Sequence, residues 1–262
     1  MIYQSNKEKL LTKNFLKKGY LIVKTQNHKS LAIIRKIFLN SINKYTEQKI
    51  TKLNQIKKLH KKMNYENLNQ FRLKLIKQIN SNPKFRYHYF NLARDELYTL
   101  VGNDLLMQKK INLSIQLPND DSSLLPIHSD VWSGDSPFEI NLWVPLVNCY
   151  KTKSMYILPE KEKEYFNNIM KRNKIKSSSQ VFNLIKNKLK WLKINYGEIL
   201  IFNQNLPHGN VINLENETRF SMNCRFKSYF SPFGDKKIGE FFDPITTRAM
   251  TTLGINYTSP IE

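Results

Sequence analysis

The sequence predicts an α+β chain with a mainly β core, a β-sandwich or jelly roll with helices packed outside it. Three observations carry that expectation. Apolar side chains recur at helical spacing through the first hundred residues, and apolar and polar residues then alternate in short runs broken by turns. No segment of roughly 20–50 residues repeats, so a solenoid is not expected.

The elements follow in order. Phe15 to Lys24 reads as a helix end followed by a short strand. Ser30 stands where an N-cap belongs, with Leu31, Ile34, Phe38 and Ile42 at helical spacing behind it. Ile50, Leu53, Ile56, Leu59 and Met63 mark a second helix, and Leu68, Phe71, Leu75, Ile76 and Ile79 a third. Asn82-Pro83 breaks the pattern, and a further helix is predicted over Phe90–Val101. Residues 1–104 are thus expected to be mostly helical. From Ile111 to Leu117 the period becomes two, the mark of a half-buried strand; Phe138–Val147, Ser154–Leu158, Ile194–Phe202 and Arg219–Phe230 read the same way. A Lys-rich helical insertion is predicted over about residues 160–192, within a β core spanning 105–262, the whole of 1–262 forming one domain.

Composition narrows the class. Of the 262 residues 40% are hydrophobic and 12% aromatic, enough to build a core and to exclude a disordered chain despite a formal net charge of +21. Two cysteines, Cys149 and Cys224, form no CxxC pair, so neither a disulfide scaffold nor a thiolate zinc site is supported. No apolar run reaches the length of a membrane span, and the opening residues lack a signal peptide's apolar core. A cytoplasmic setting is expected.

The charge is uneven: 22 of the 42 Lys and Arg, but only 5 of the 21 Asp and Glu, lie in the first hundred residues. Such a basic half favours anionic partners. Its lysines follow helical patterns rather than one dense tract, however, and Lys, Asn and Ile are abundant together, which a compositional bias explains equally well.

The last strand is informative in its parity. Phe220, Met222, Cys224 and Phe226 point to one face, and Arg219, Ser221, Asn223 and Arg225 to the other. If the apolar set meets the outer helices, the polar set lines the interior, where two guanidinium groups need an anion. A solvated outer face would give the same alternation.

Three residues form a candidate metal site: His128 and Asp130, which share a face at positions i and i+2, and His208 from a later strand. Two imidazoles and a carboxylate leave three coordination positions open, a set suited to non-haem Fe(II). Arg219 lies 11 residues after His208, and Ser221 shares its strand face, so a guanidinium and a hydroxyl stand ready for a carboxylate. Each part alone is common; their ordered combination is not.

With these residues the chain resembles the Fe(II)/2-oxoglutarate-dependent dioxygenases. Gly197-Glu198-Ile199-Leu200-Ile201-Phe202, His208-Gly209-Asn210-Val211-Ile212-Asn213, Leu142-Trp143-Val144-Pro145-Leu146-Val147 and Met155-Tyr156-Ile157-Leu158-Pro159 resemble the phytanoyl-CoA-hydroxylase-like superfamily. The run from His128-Ser129-Asp130 to Phe138-Glu139 is most similar to the StrG-like oxygenases of sporadic carbohydrate clusters. The similarity covers about residues 105–262. It implies a double-stranded β-helix with His128, Asp130 and His208 as catalytic iron ligands. It also implies Arg219 and Ser221 on the distal carboxylate of 2-oxoglutarate, with O2 as oxidant. Gln116, on one strand face with Asn112 and Ser114, is a further candidate contact to that co-substrate. The chain departs from the common pattern at Lys153-Ser154-Met155 and at Glu160-Lys161-Glu162, departures expected to touch the substrate rather than the chemistry.

Trp132, Glu139, Asn141 and Arg225 are the candidate substrate contacts. An amide and a carboxylate suit sugar hydroxyls, and an indole suits a sugar's apolar face. The resemblance implies a small-molecule or carbohydrate substrate, free or phosphorylated, with hydroxylation as the default outcome and epimerisation, desaturation or ring formation as others. Two alternatives stay open. The Arg219-x5-Arg225 spacing and the basic first hundred residues also resemble AlkB-type nucleic-acid demethylases, although no dense basic tract or aromatic platform stands out for a flipped base. A jelly roll serving only as a carbohydrate-binding module is the other. Oligomeric state is not legible.

Overall fold

A computed structural model describes residues 3–46, 49–62 and 67–261. Helix α1 (Asn6–Lys18) begins with a capping box between Ser5 and Glu8 and ends at Gly19, whose φ of 75° turns the chain straight into β1 (Tyr20–Lys24). Helix α2 (His28–Ile42) starts earlier than expected: Asn27, not Ser30, is its cap, and its Oδ1 accepts from Ser30 N at 2.9 Å. The helix expected over Ile50–Met63 is shorter and broken into α3 (Leu53–Ile56) and a 3-10 turn at Leu59–Lys62; Met63 lies outside the described residues. The break has a tertiary cause. Thr218 N donates to Lys57 O at 2.7 Å, and Thr218 Oγ1 accepts from His60 N, so this segment is tied to the strand that carries Arg219. Helix α4 (Leu68–Asn80) follows. Asn82-Pro83 opens a helix rather than only ending one, Asn82 capping α5 (Pro83–Asn91) with proline in its first turn. The helix expected over Phe90–Val101 is therefore the end of α5 plus α6 (Arg94–Leu100).

The remaining elements are β2 (Leu105–Gln108), β3 (Asn112–Gln116), β4 (Glu139–Pro145), β5 (Tyr156–Ile157), α7 (Lys163–Arg172), α8 (Ser178–Ile185), β6 (Lys190–Trp191), β7 (Glu198–Asn203), β8 (His208–Gly209), β9 (Arg219–Ser228), β10 (Phe242–Thr246) and α9 (Ala249–Ile255). The insertion is helical as expected, its α7 and α8 covering a small separate core of Ile127, Tyr156, Leu158, Phe166, Val181 and Ile185. The large sheet runs β1-β7-β4-β9-β2-β10, with β3 also on β9; the small sheet runs β6-β5-β8. Its strand pairs are antiparallel. Strands β2 and β10 were not anticipated, being a short all-apolar run and a Pro-containing edge strand.

The parity of β9 resolves as the first of its two readings. Phe220, Met222, Cys224 and Phe226 are fully buried. Phe220 meets Phe38 of α2 at 5.8 Å between ring centroids, and Phe226 meets Phe90 of α5 at 6.4 Å. The helices thus coat the outside of the large sheet and turn the polar face of β9 inward. Phe220→Ala, which empties the centre of this layer, is expected to cost about 3–5 kcal/mol, read as a lower urea midpoint with unchanged slope.

Candidate metal centre

His128 and Asp130 do not lie on a regular strand. His128 makes an isolated bridge to His208, and Asp130 opens a 3-10 turn over Asp130–Ser133. Ser129 between them is extended (φ −120°, ψ 135°), so the two neighbours still emerge on one side. The Ser129 hydroxyl instead reaches the carbonyls of Gln204 and Asn205, at 3.2 and 3.0 Å. His208 sits between β5 and the His128 bridge. One ligand atom from each of His128, Asp130 and His208 falls within 4.8 Å of the others.

The hydrogen bonds orient the donors. His128 Nδ1 lies 2.8 Å from Pro126 O, and His208 Nδ1 2.8 Å from Leu206 O. Only a protonated Nδ1 satisfies a carbonyl, so in the neutral ring each Nε2 keeps a free lone pair. His128 Nε2 lies 3.6 Å from Asp130 Oδ1, and Asp130 Oδ2 is buried without a hydrogen-bond partner among the described residues. Burial pulls the His208 imidazole down to about 4, keeping it neutral and able to ligate near pH 7. Two imidazole nitrogens and one carboxylate with an unused oxygen fit a divalent first-row metal.

Beside this cluster, Arg219 is buried at 3% exposure and has no ion pair among the described residues. It donates to Ser154 O at 3.2 Å and Ser114 Oγ at 2.9 Å, while its Nε has no partner among the described residues. Desolvation lowers it to about 10, still charged at neutral pH. The neighbouring Cys149 is pushed up to about 12 by burial and offers no counter-charge. Opposite Arg219 in register stands Gln116, and opposite Ser221 stands Ser114. Among the described residues Ser221 Oγ, Ser154 Oγ and Gln116 Oε1 are buried and unpartnered, while Gln116 Nε2 donates to Val211 O. A cavity of about 220 Å³ joins Arg219 to His128, Asp130 and His208, with Asn112, Ser114, Asn141, Asn223 and Arg225 among its lining.

The four candidate substrate contacts divide. Asn141 faces the cavity with an unpartnered Oδ1, and Arg225 faces it from the paired position on β9. Arg225 is also held by carboxylates, 3.1 Å from Asp130 Oδ1 and 3.3 Å from Asp135 Oδ2. Trp132, 49% exposed, does not line the cavity; its ring stacks on Phe166 of α7 at 6.0 Å. Glu139 does not line it either: it is buried behind the ligand turn and accepts from Gln204 Nε2 and Ser136 N. Burial pushes its carboxyl upward.

Sequence reasoning assigned no role to Asp135, Lys236 or the Ser154 carbonyl. The Lys153-Ser154-Met155 departure, expected to concern the substrate, includes a direct partner of Arg219. Lys153 is fully buried there, ion-paired with Glu217.

Two facing sheets with a polar site between them, helices outside the larger one, define the fold as a double-stranded β-helix. No family model matches the chain, and no curated protein matches it by sequence. Solved structures do share the fold. The non-heme monooxygenase ThoJ, in a nickel complex, aligns over 92% of this chain and 85% of its own with a TM-score of 0.52 and 13% identity. HygX from Streptomyces hygroscopicus, solved with nickel and 2-oxoglutarate, aligns over 90% of each chain with a TM-score of 0.52 and 12% identity. EctD from S. alaskensis, solved with 2-oxoglutarate and 5-hydroxyectoine, aligns over 88% of this chain and 78% of its own, with a TM-score of 0.54 and 14% identity.

Proposed function

We propose that the chain is an Fe(II)/2-oxoglutarate-dependent oxygenase of the phytanoyl-CoA-hydroxylase-like superfamily, oxidising a carbohydrate or nucleotide-sugar intermediate, with hydroxylation as its ordinary outcome. One observation carries the chemistry: two Nε2 atoms and a carboxylate oxygen converge beside a buried guanidinium, the oxygen unpartnered and the guanidinium without a counter-ion among the described residues. His128, Asp130 and His208 would hold the iron. Bound there, iron with 2-oxoglutarate and O2 supplies the oxidising power that breaks an unactivated C–H bond.

The chain's own residues do the rest. The Pro126 and Leu206 carbonyls fix both imidazoles in the tautomer that ligates through Nε2. Arg219 receives the distal carboxylate of 2-oxoglutarate, with the Ser221 hydroxyl, partnerless among the described residues, on the same strand face; Gln116 stands opposite Arg219 in register, its Nε2 donating to Val211 O. Phe202, Met155 and Trp143 supply apolar wall to the same cavity and limit water beside the ligands. Asn141 and Asn223 present amides toward the site, groups that suit sugar hydroxyls and carry no charge to select an ionic substrate. A cytoplasmic setting accords with a carbohydrate-biosynthetic role, and among the described residues no helix is long and apolar enough to cross a membrane.

Anaerobic addition of Fe(II) and then 2-oxoglutarate is expected to produce a weak visible charge-transfer band. In air, a screen of sugars and nucleotide sugars is expected to find one that increases succinate release. Absence of both the band and succinate release would remove the oxygenase assignment; a band without any responsive sugar would remove only the substrate class.

A further inference from the structure

We infer that Arg225, held by Asp135 and Lys236, is a positioning device for the carboxylate of Asp130. The inference rests on the metal-site assignment above and concerns residues outside the metal-binding trio.

The ligand carboxylate is divided between two tasks. Its Oδ1 lies 3.1 Å from an Arg225 terminal nitrogen, while Oδ2 has no hydrogen-bond partner among the described residues. An ion pair at one oxygen favours one rotation of the carboxylate plane and leaves the other oxygen for an ion. The same Arg225 nitrogen lies 3.3 Å from Asp135 Oδ2, so the guanidinium is held from behind as well. Asp135 is buried, and its other oxygen meets Lys236 Nζ at 2.6 Å. Lys236 and Arg225 both lie over the Phe241 ring, at 4.8 and 5.7 Å from its centroid. The chain is continuous: Asp130, Arg225, Asp135, Lys236.

Alternating sign makes this chain a relay that balances itself. Two carboxylates and two cations cancel, so Arg225 is not an unpaired charge searching for a substrate anion, as Arg219 is for an anion.

The backbone supports the same relay. Residues 232–236 lie across the ligand turn. Asp235 N donates to Gly134 O at 2.8 Å, and Ser136 Oγ donates to Pro232 O at 2.6 Å. Gly134 has φ +83°, and a Cβ there would collide with Asp235, so the crossing segment sits directly on the turn that begins at Asp130. Lys236 is delivered to Asp135 by that segment.

The test is metal binding alone, with Co(II) as the probe followed by its visible absorption, on Arg225→Gln, Asp135→Asn and Lys236→Met. Loss of an outer-shell partner typically costs about 10–100-fold in metal affinity. Arg225→Gln and Asp135→Asn are expected in that range, with an altered Co(II) spectrum, and Lys236→Met at the lower end. Arg225→Lys is expected to recover part of the affinity. Asp135 and Lys236 touch no metal ligand, so those two variants decide the matter if Arg225→Gln fails to fold, as judged by circular dichroism. Co(II) affinity within twofold of wild type and an unchanged spectrum in Asp135→Asn would overturn the relay. A wild-type protein that binds no Co(II) would instead overturn the metal-site assignment on which the relay depends.

Discussion

Arg219→Met is expected to weaken 2-oxoglutarate binding by about 30- to 4,000-fold and, in the ligand-free protein, to raise the melting temperature by several degrees. The two effects share one cause. Arg219 carries a full charge into a site where, among the described residues, the Ser154 carbonyl and the Ser114 hydroxyl receive it. Removing one partner of a buried charge pair costs about 2–5 kcal/mol, and each 1.4 kcal/mol is tenfold, which sets the binding range. Without ligand that partner is missing, and replacing buried ions by well-packed apolar groups often stabilises by about 1–4 kcal/mol. Differential scanning fluorimetry with and without 2-oxoglutarate reads both quantities on one sample. A variant that melts below wild type without ligand would mean that the guanidinium is already compensated in the folded chain.

Asp130→Ala is expected to lower succinate release by at least about 10³-fold, since a ligand worth several kcal/mol of charge stabilisation is removed. The variant should also purify with far less iron than wild type after identical loading, measured by metal analysis. Arg225 then retains Asp135 as its partner, so the fold is expected to survive. Iron content and turnover equal to wild type would show that the metal, if bound, sits elsewhere.

The proximity of His128 and Asp130 was legible because it is local, an extended Ser129 being enough to place them together, whereas His208 joins them through a bridge from a distant segment. The inward polar face of β9 was legible for a related reason, since a period of two survives any tertiary arrangement. What was hidden depends on contacts between distant segments. The helix expected over Ile50–Met63 breaks where Lys57 receives Thr218, a partner 161 positions away that no periodicity announces. Asp135 belonged to a noticed motif, but its partner Arg225 could not be paired with it before the register of β4 on β9 was known. Of Trp132, Glu139 and Asn141, only Asn141 lines the cavity: Glu139 shares its strand face but sits at the start of β4, bonded to Gln204 and Ser136, and Trp132 lies against Phe166 of the insertion, contacts that no strand parity announces.

Both histidines take their orientation from the carbonyl two residues earlier in their own chain, Pro126 for one and Leu206 for the other. Each ring's Nδ1 anchor is therefore written into a tripeptide, and Phe202 packs edge-on to His208 at 4.9 Å between ring centroids as added support. Grafting those short pieces onto a different barrel should carry the pose of each imidazole with them, whereas the aspartate's pose would have to be rebuilt from groups scattered along the chain.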